Sequence, residues 1–485
     1  MLTIKYVPKF KPFYSLLITF IKLYDIINTK NDTKIYVFIL MNFCIVNIKK
    51  QMEFNMKTKI LLKNGNIIYE DGKLDKNINI LVNGGKIEKI SKESIHEDYK
   101  IVDCTGMYIT PGFVNLHAHS PMNIMKGIAE DISIENWFNE KIFPYESKLE
   151  AEDVYWGTVI AAQEMINNGV TAFADHYFSQ ESVYKAIEDT GIRGDIAPTI
   201  FGLAPDYEQQ LKGAVDFVEK YEGKNSRINL RLGPHAPYTC PNEKLKEIVN
   251  LAKKLEVGIH IHVSETHEQV AESIKLTGMT PIHVLCESGG FGVDTIIAHG
   301  LWTTKEDLKF INEKTFFAFC PKTYMKLSMG NGNIYELKNE MNYSFGTDGA
   351  ASSNTLSPLE QARLFALNGK FIGGDATDFD TIELWKSLMN GHNALKFNTG
   401  KIAEGYEADL LIWDLNMVNT YPVYNPLTSI IYSSDSSNIK YTMVQGEFLK
   451  YDGKLKTDML LTINKVGEIQ NKILERGKGK SKVNY

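Results

Sequence analysis

Between about residues 108 and 395 the chain repeats one pattern: a short apolar run, a polar residue where the run stops, then a helical stretch. GVTAFADHY (169–177) precedes a helix over Glu181–Thr190, GDIAPTIFG (194–202) precedes Tyr207–Tyr221, and NLRLGPHAPY precedes Asn242–Leu255. GIHIHVSET precedes Glu268–Gly278, TIIAHG precedes Lys305–Asn312, and YSFGTDGA precedes Pro358–Asn368. Parallel strands need long, usually helical crossovers, so this alternation predicts a parallel sheet with helices outside it. With GFVNLHAHS (112–120) there are at least seven such runs, and no G-x-G-x-x-G joins a strand to a helix. That argues against a doubly wound nucleotide fold. The prediction is an α/β fold, a (β/α)8 TIM barrel whose chemistry gathers at the C-terminal strand ends.

The flanks have a different texture. From Lys57, short β-type runs (Ile60–Leu62, Asn66–Tyr69, Ile78–Val82, Lys86–Ile90) are broken by Asn-Gly, Asp-Gly and Gly-Gly pairs, which demand left-handed or hairpin turns. The same texture returns only in Gly405–Leu415 and Ile439–Lys454. Neither flank alone would bury much core. Residues 57–107 and 400–460 are therefore expected to form one composite β-sandwich around a catalytic barrel of residues 108–399, with a C-terminal tail or helix at 461–485.

Residues 1–55 resemble neither part. They hold eight Lys against three acidic residues and two apolar runs, Pro12–Ile21 and Ile35–Ile48. The longer run has 14 residues, two of them Asn, short of the roughly 20 that span a bilayer. This stretch reads as a non-native or unstructured N-terminal extension, with Met52 or Met56 as the first native residue; the alternatives are a membrane-associated or targeting segment and a structural appendage. The whole chain carries a net charge of −6, which gives no reason to expect nucleic acid or a membrane as partner. Its five Cys are not closely paired, which fits a reducing, cytoplasmic setting.

Within GFVNLHAHS, His117 and His119 are two residues apart. On a strand both leave the same face, as a metal chelate requires. The later run ends add His235, His262 with Glu265, His299 and Asp348. His262 is nearer the rim than His260, so it is taken as a ligand and His260 as a buried, hydrogen-bonded side chain. Three imidazoles (His117, His119, His262) and the Asp348 carboxylate suit one divalent ion, zinc or alternatively ferrous iron, with a position left for water. Such an ion brings the ionisation of water toward neutral pH. Asp348 can aim that water, Glu265 can shuttle its proton, and His299 can stabilise a developing oxyanion.

GFVNLHAHSPMNIMKGIAEDISIENWF, LGPHAPYTC, IHVSET, IIAHG, FGTDGAASSN and GKIAEGYEADLLIWDL together resemble the amidohydrolase superfamily. Within it, they are similar to the methylthioadenosine/S-adenosylhomocysteine deaminase and chlorohydrolase group. The resemblance covers about residues 57–460. It implies a mononuclear metal site and hydrolytic replacement of a substituent on an N-heterocyclic ring. Carried over by motif, His117, His119, His262 and Asp348 are the ligands, Glu265 the proton shuttle and His299 its electrostatic partner. His235 and Ser352 fall on the substrate side, Glu146 receives ribose hydroxyls, and Trp137 shapes the pocket. The family also implies a homodimer or homotetramer.

Two departures bear on substrate. In FCPKTYMKLSMG the family His becomes Phe319 and the family Ser-Asn becomes Thr323-Tyr324, which puts a phenol where an amide is expected. Ala197–Tyr221 contains no Arg, the residue type that can hold the carboxylate of S-adenosylhomocysteine. The expected substrate is an adenosine derivative such as methylthioadenosine. The alternatives are a guanine- or pterin-type base, a triazine chlorohydrolase, and a non-enzymatic barrel protein.

Overall fold

Eight strands of the chain's middle close on themselves. They are β6 (Phe113–His119), β7 (Val170–Tyr177), β8 (Arg193–Ile200), β9 (Ile228–Pro234), β10 (Gly258–Val263), β11 (Thr295–His299), β12 (Thr315–Phe319) and a last strand in two pieces, β13 (Tyr343–Phe345) and β14 (Asp348–Gly349). Neighbours pair in parallel, and β13 bonds to β12 while β14 bonds to β6, which shuts the barrel as expected. The computed structural model describes residues 59–95 and 99–477, so the expected extension over 1–55 lies outside the described residues.

The break in the last strand is specified by side chains on the first. Thr347 N donates to the carbonyl of His117 (2.9 Å) and to Asn115 Oδ1 (3.0 Å), and Asn115 Nδ2 donates to Thr347 Oγ1 (2.7 Å). Gly346 is needed for this approach: a Cβ there would stand 2.7 Å from His117 Cβ and 2.9 Å from its backbone nitrogen. Gly346→Ala is expected to cost about 1–3 kcal/mol and to push His117 off its position. Thermal unfolding and metal content would both register it.

Helices follow most strands as the pattern predicts, at Gln180–Thr190, Tyr207–Tyr221, Asn242–Lys254, His267–Thr277 and Pro358–Gly373. The stretch expected as a helix at Lys305–Asn312 is instead a 3-10 turn over Lys305–Phe310, started by a Thr304/Asp307 capping box. A helix at Ala151–Asn167 follows β6 only after a long connection. That connection carries Trp137 and the short helix Phe143–Glu146 over the strand ends.

Both flanks contribute to the second sheet. It holds β1 (Ile60–Ile68), β2 (Leu74–Asn83), β3 (Lys86–Ser91), β4 (Lys100–Asp103), β5 (Tyr108–Pro111), β15 (Leu410–Trp413), β16 (Ile439–Val444), β17 (Glu447–Tyr451) and β18 (Lys454–Leu455). The two halves meet where β5 pairs antiparallel with β15. The runs Ile60–Leu62 and Asn66–Tyr69 are one strand and not two. Asn64, at φ 59°, makes a bulge with Gly65 where β1 shifts register against β2, so this Asn-Gly pair bends a strand and does not turn a hairpin. Arg193 on β8 ties the sheets together through Asp409 (2.8 and 3.0 Å) and Glu407 (3.0 Å).

Candidate active site

The C-terminal strand ends bring together His117 and His119 (β6), His176 (β7), His262 (β10), His299 (β11) and Asp348 (β14), with His235 just past β9 and Glu265 just past β10. His299 and Asp348 hold left-handed backbone, at φ 68° and 58°. Residues with a Cβ reach that region at a cost that persists where the surroundings over-determine it. Here each sits at a strand end and turns its side chain toward the same centre.

Backbone carbonyls select the imidazole tautomers. A carbonyl only accepts, so His119 Nδ1 must donate to His176 O (2.6 Å) and His262 Nδ1 to His235 O (2.8 Å). Both Nε2 atoms, the ones that would bind an ion once free of a proton, point into the centre 3.3 Å apart. That is the separation of two ligands about 2.0–2.1 Å from one ion at a near-tetrahedral angle. His117 Nδ1 meets His260 Nε2 at 2.9 Å, and its own Nε2 is buried without a hydrogen-bond partner. Asp348 Oδ1 completes the set, 3.2 Å from His119 Nε2 and 3.5 Å from His117 Nε2. The donor atoms therefore fit one divalent cation. His260 is buried against His117, as expected.

The titrations have separate causes. Burial pulls His117 and His235 down to about 3. Burial also pulls on His119, but the Asp348 carboxylate and the His176 carbonyl outweigh it and raise the ring to about 9. Asp348 is opposed by burial yet held well below the usual carboxylate range by His117 and His119.

Around this centre, Glu265 Oε1 lies 3.5 Å from His299 Nε2. His235 stacks on Phe201 (centroids 4.5 Å apart) and meets Thr239 through Nδ1 at 2.9 Å. Glu146 accepts a hydrogen bond from Tyr177 Oη at 2.7 Å, and its burial raises its carboxyl. Trp137 Nε1 is buried and has no hydrogen-bond partner among the described residues. A cavity of about 590 Å³ is lined by Asp131, Thr266, Trp302 and Ser328.

Ser352, Thr323, Tyr324 and Phe319 each meet a partner within the protein. Ser352 Oγ donates to Asp348 Oδ2 at 2.6 Å, and Thr323 Oγ1 donates to the same oxygen at 3.2 Å. Tyr324 is 2% exposed, its Oη accepts from Cys320 N (2.9 Å), and its ring lies 5.7 Å from that of His299. Phe319 packs outward on Tyr343 (4.7 Å) and on Phe365 (5.5 Å) of the helix Pro358–Gly373.

His176 was not anticipated. It is buried, bonds Thr199 Oγ1 through Nδ1 at 3.1 Å, and groups with His119 and His262 at ligand-forming separations of at most 4.8 Å. His299 groups in the same way with His117 and His262. The signal for His176 was present in ADHY, a polar residue ending an apolar run.

Residues 108–449 match the amidohydrolase family. The chain is 36% identical over 406 residues to a 5-methylthioadenosine/S-adenosylhomocysteine deaminase of Dictyoglomus thermophilum, covering 82% of this chain and 95% of that protein. It is 36% identical over 413 residues to a 5'-deoxyadenosine deaminase of Methanosphaera stadtmanae, with the same coverage. In fold it is similar to a crystal structure of an adenosine deaminase from Xanthomonas campestris with bound zinc. The TM-score is 0.82 at 24% identity, over 86% of this chain and 99% of that one.

Proposed function

Because the chain belongs to the amidohydrolase family, we propose that it is a metal-dependent aminohydrolase that deaminates an adenine nucleoside, methylthioadenosine or a 5'-deoxy analogue foremost. The observation that carries this reading is the convergence of the His117, His119 and His262 imidazoles with Asp348 Oδ1 beside Glu265. His117, His119, His262 and Asp348 would hold one divalent ion, zinc by the chemistry of the donor set. When bound, the ion supplies Lewis acidity that makes water a nucleophile near neutral pH.

The protein groups do the rest. Asp348, its Oδ2 fixed by Ser352 and Thr323, aims the attacking water at the amino-bearing ring carbon. Glu265 takes one proton from that water and delivers it to the adjacent ring nitrogen, giving a tetrahedral carbon. The second proton passes through Glu265 to the amino group, the C–N bond breaks, and ammonia leaves with a ring carbonyl behind. His299, near Glu265, faces the oxygen as charge develops. Glu146 receives the ribose hydroxyls, His235 and Trp137 frame the ring, and Tyr324 backs His299.

The domain division, composite sheet from residues 57–107 and 400–460 around a barrel of 108–399, belongs to the same proposal, with β5 at the seam. So does a cytoplasmic homodimer or homotetramer acting on a free small molecule and not on nucleic acid. Among the described residues no helix is long and apolar enough to cross a membrane.

Ammonia release tests the reading across methylthioadenosine, 5'-deoxyadenosine, adenosine, S-adenosylhomocysteine, adenine, guanine, a pterin and a chlorotriazine. The first two should give the highest kcat/KM, and S-adenosylhomocysteine should lag because Ala197–Tyr221 offers it no Arg. Guanine or pterin as best substrate, or chloride release from the triazine, would overturn the nucleoside assignment.

A further inference from the structure

Glu146 ends the short helix Phe143–Glu146 on the connection after β6, so no strand register fixes where its carboxylate points. What meets it is β7. Tyr177 Oη donates to Glu146 Oε1 at 2.7 Å. That ring is 3% exposed, stacks on Phe178 with centroids 4.3 Å apart, and lies 6.2 Å from the His119 ring. Tyr177 follows His176, whose carbonyl orients His119. One strand end therefore sets both a metal-facing imidazole and this carboxylate, and so fixes the distance between the reacting carbon and whatever Glu146 holds.

A carboxylate offers about four lone-pair sites on two oxygens. A phenol donor on Oε1 uses one site and stops rotation of the group. It leaves Oε2 and the second lone pair of Oε1 side by side, the arrangement that two adjacent hydroxyls can fill together. Hydrogen bonds to a charged acceptor are the strong ones and depend on direction. A carboxylate free to turn would lose one of the two.

Resting on the assignment of Glu146 to the substrate, we propose that Tyr177 is the positioning residue that sets Glu146 to receive a vicinal 2',3'-diol. On this proposal the Tyr177–Glu146 pair, and not Glu146 alone, decides preference for a ribonucleoside over one without the diol. A site built to hydrogen-bond hydroxyls disfavours an analogue lacking them, because its buried polar groups are left unpaired.

The test compares adenosine with 2',3'-dideoxyadenosine on the metal-loaded full chain. Tyr177→Phe should raise KM for adenosine about tenfold, as expected for one hydrogen bond to a charged group, with kcat within about twofold and dideoxyadenosine kinetics unchanged. Tyr177→His, whose shorter ring falls short of Oε1, reads the same contrast should the Phe variant not fold. In a Glu146→Gln background, Tyr177→Phe should add less than about twofold, since partners in one hydrogen bond are not additive. Equal losses on both substrates, or full additivity, would overturn the role of Tyr177 and leave the nucleoside reading standing. A wild-type enzyme that deaminates none of adenosine, methylthioadenosine and 5'-deoxyadenosine would overturn both.

Discussion

Glu265→Gln is expected to keep its metal and its substrate affinity and to lose about a thousandfold in kcat, the scale of a positioned general acid–base group. Such a loss corresponds to about 4 kcal/mol of transition-state stabilisation. Glu265 is not among the residues grouped as ligands. Its carboxylate instead faces His299 Nε2 and Gln269 Nε2, each 3.5 Å away. Glutamine preserves the size of the side chain and an acceptor for these neighbours, but an amide cannot take up a proton and release it again. Metal analysis, calorimetric substrate binding and ammonia release on one preparation separate the effects. A kcat within tenfold of wild type would mean that another group moves the proton.

Removal of the ion is expected to abolish turnover and to lower stability together. The purified protein should carry one divalent ion per chain. Dialysis against a chelator should reduce ammonia release in proportion to the metal lost, and zinc should restore it. An ion held a thousandfold above its dissociation constant stabilises the folded state by about 4 kcal/mol, so the stripped protein should unfold at a lower temperature. His262→Ala should mimic stripping and resist rescue, because it removes the Nε2 that faces His119 Nε2 at 3.3 Å. Full activity in a preparation with almost no metal would overturn the mechanism.

Much of this was legible without coordinates because a barrel makes local signals add up. Each strand end is a local feature, an apolar run closed by a polar residue, and the fold sends all such ends to one face. His117, His119, His262, Glu265, His299 and Asp348 could be collected in that way. His176 carries the same signal, but a single imidazole at a run end says nothing about its neighbours. The Asn64-Gly65 pair leaves a choice open for a related reason: left-handed backbone at this dipeptide serves a hairpin or a bulge, and which one forms depends on how β1 pairs with β2.

The barrel, the flanking strands and the kinds of ligand can be read along the chain, since they follow from periodicity and from donor chemistry. What each side chain meets across the barrel is settled by the folded arrangement alone. Ser352 turned out to hold Asp348, Phe319 to pack outward on Phe365, and Tyr177 to reach Glu146, 31 residues away in sequence. Those pairings depend on rotamers and on separate loops brought together by closure, and neither is encoded in the spacing along any one segment.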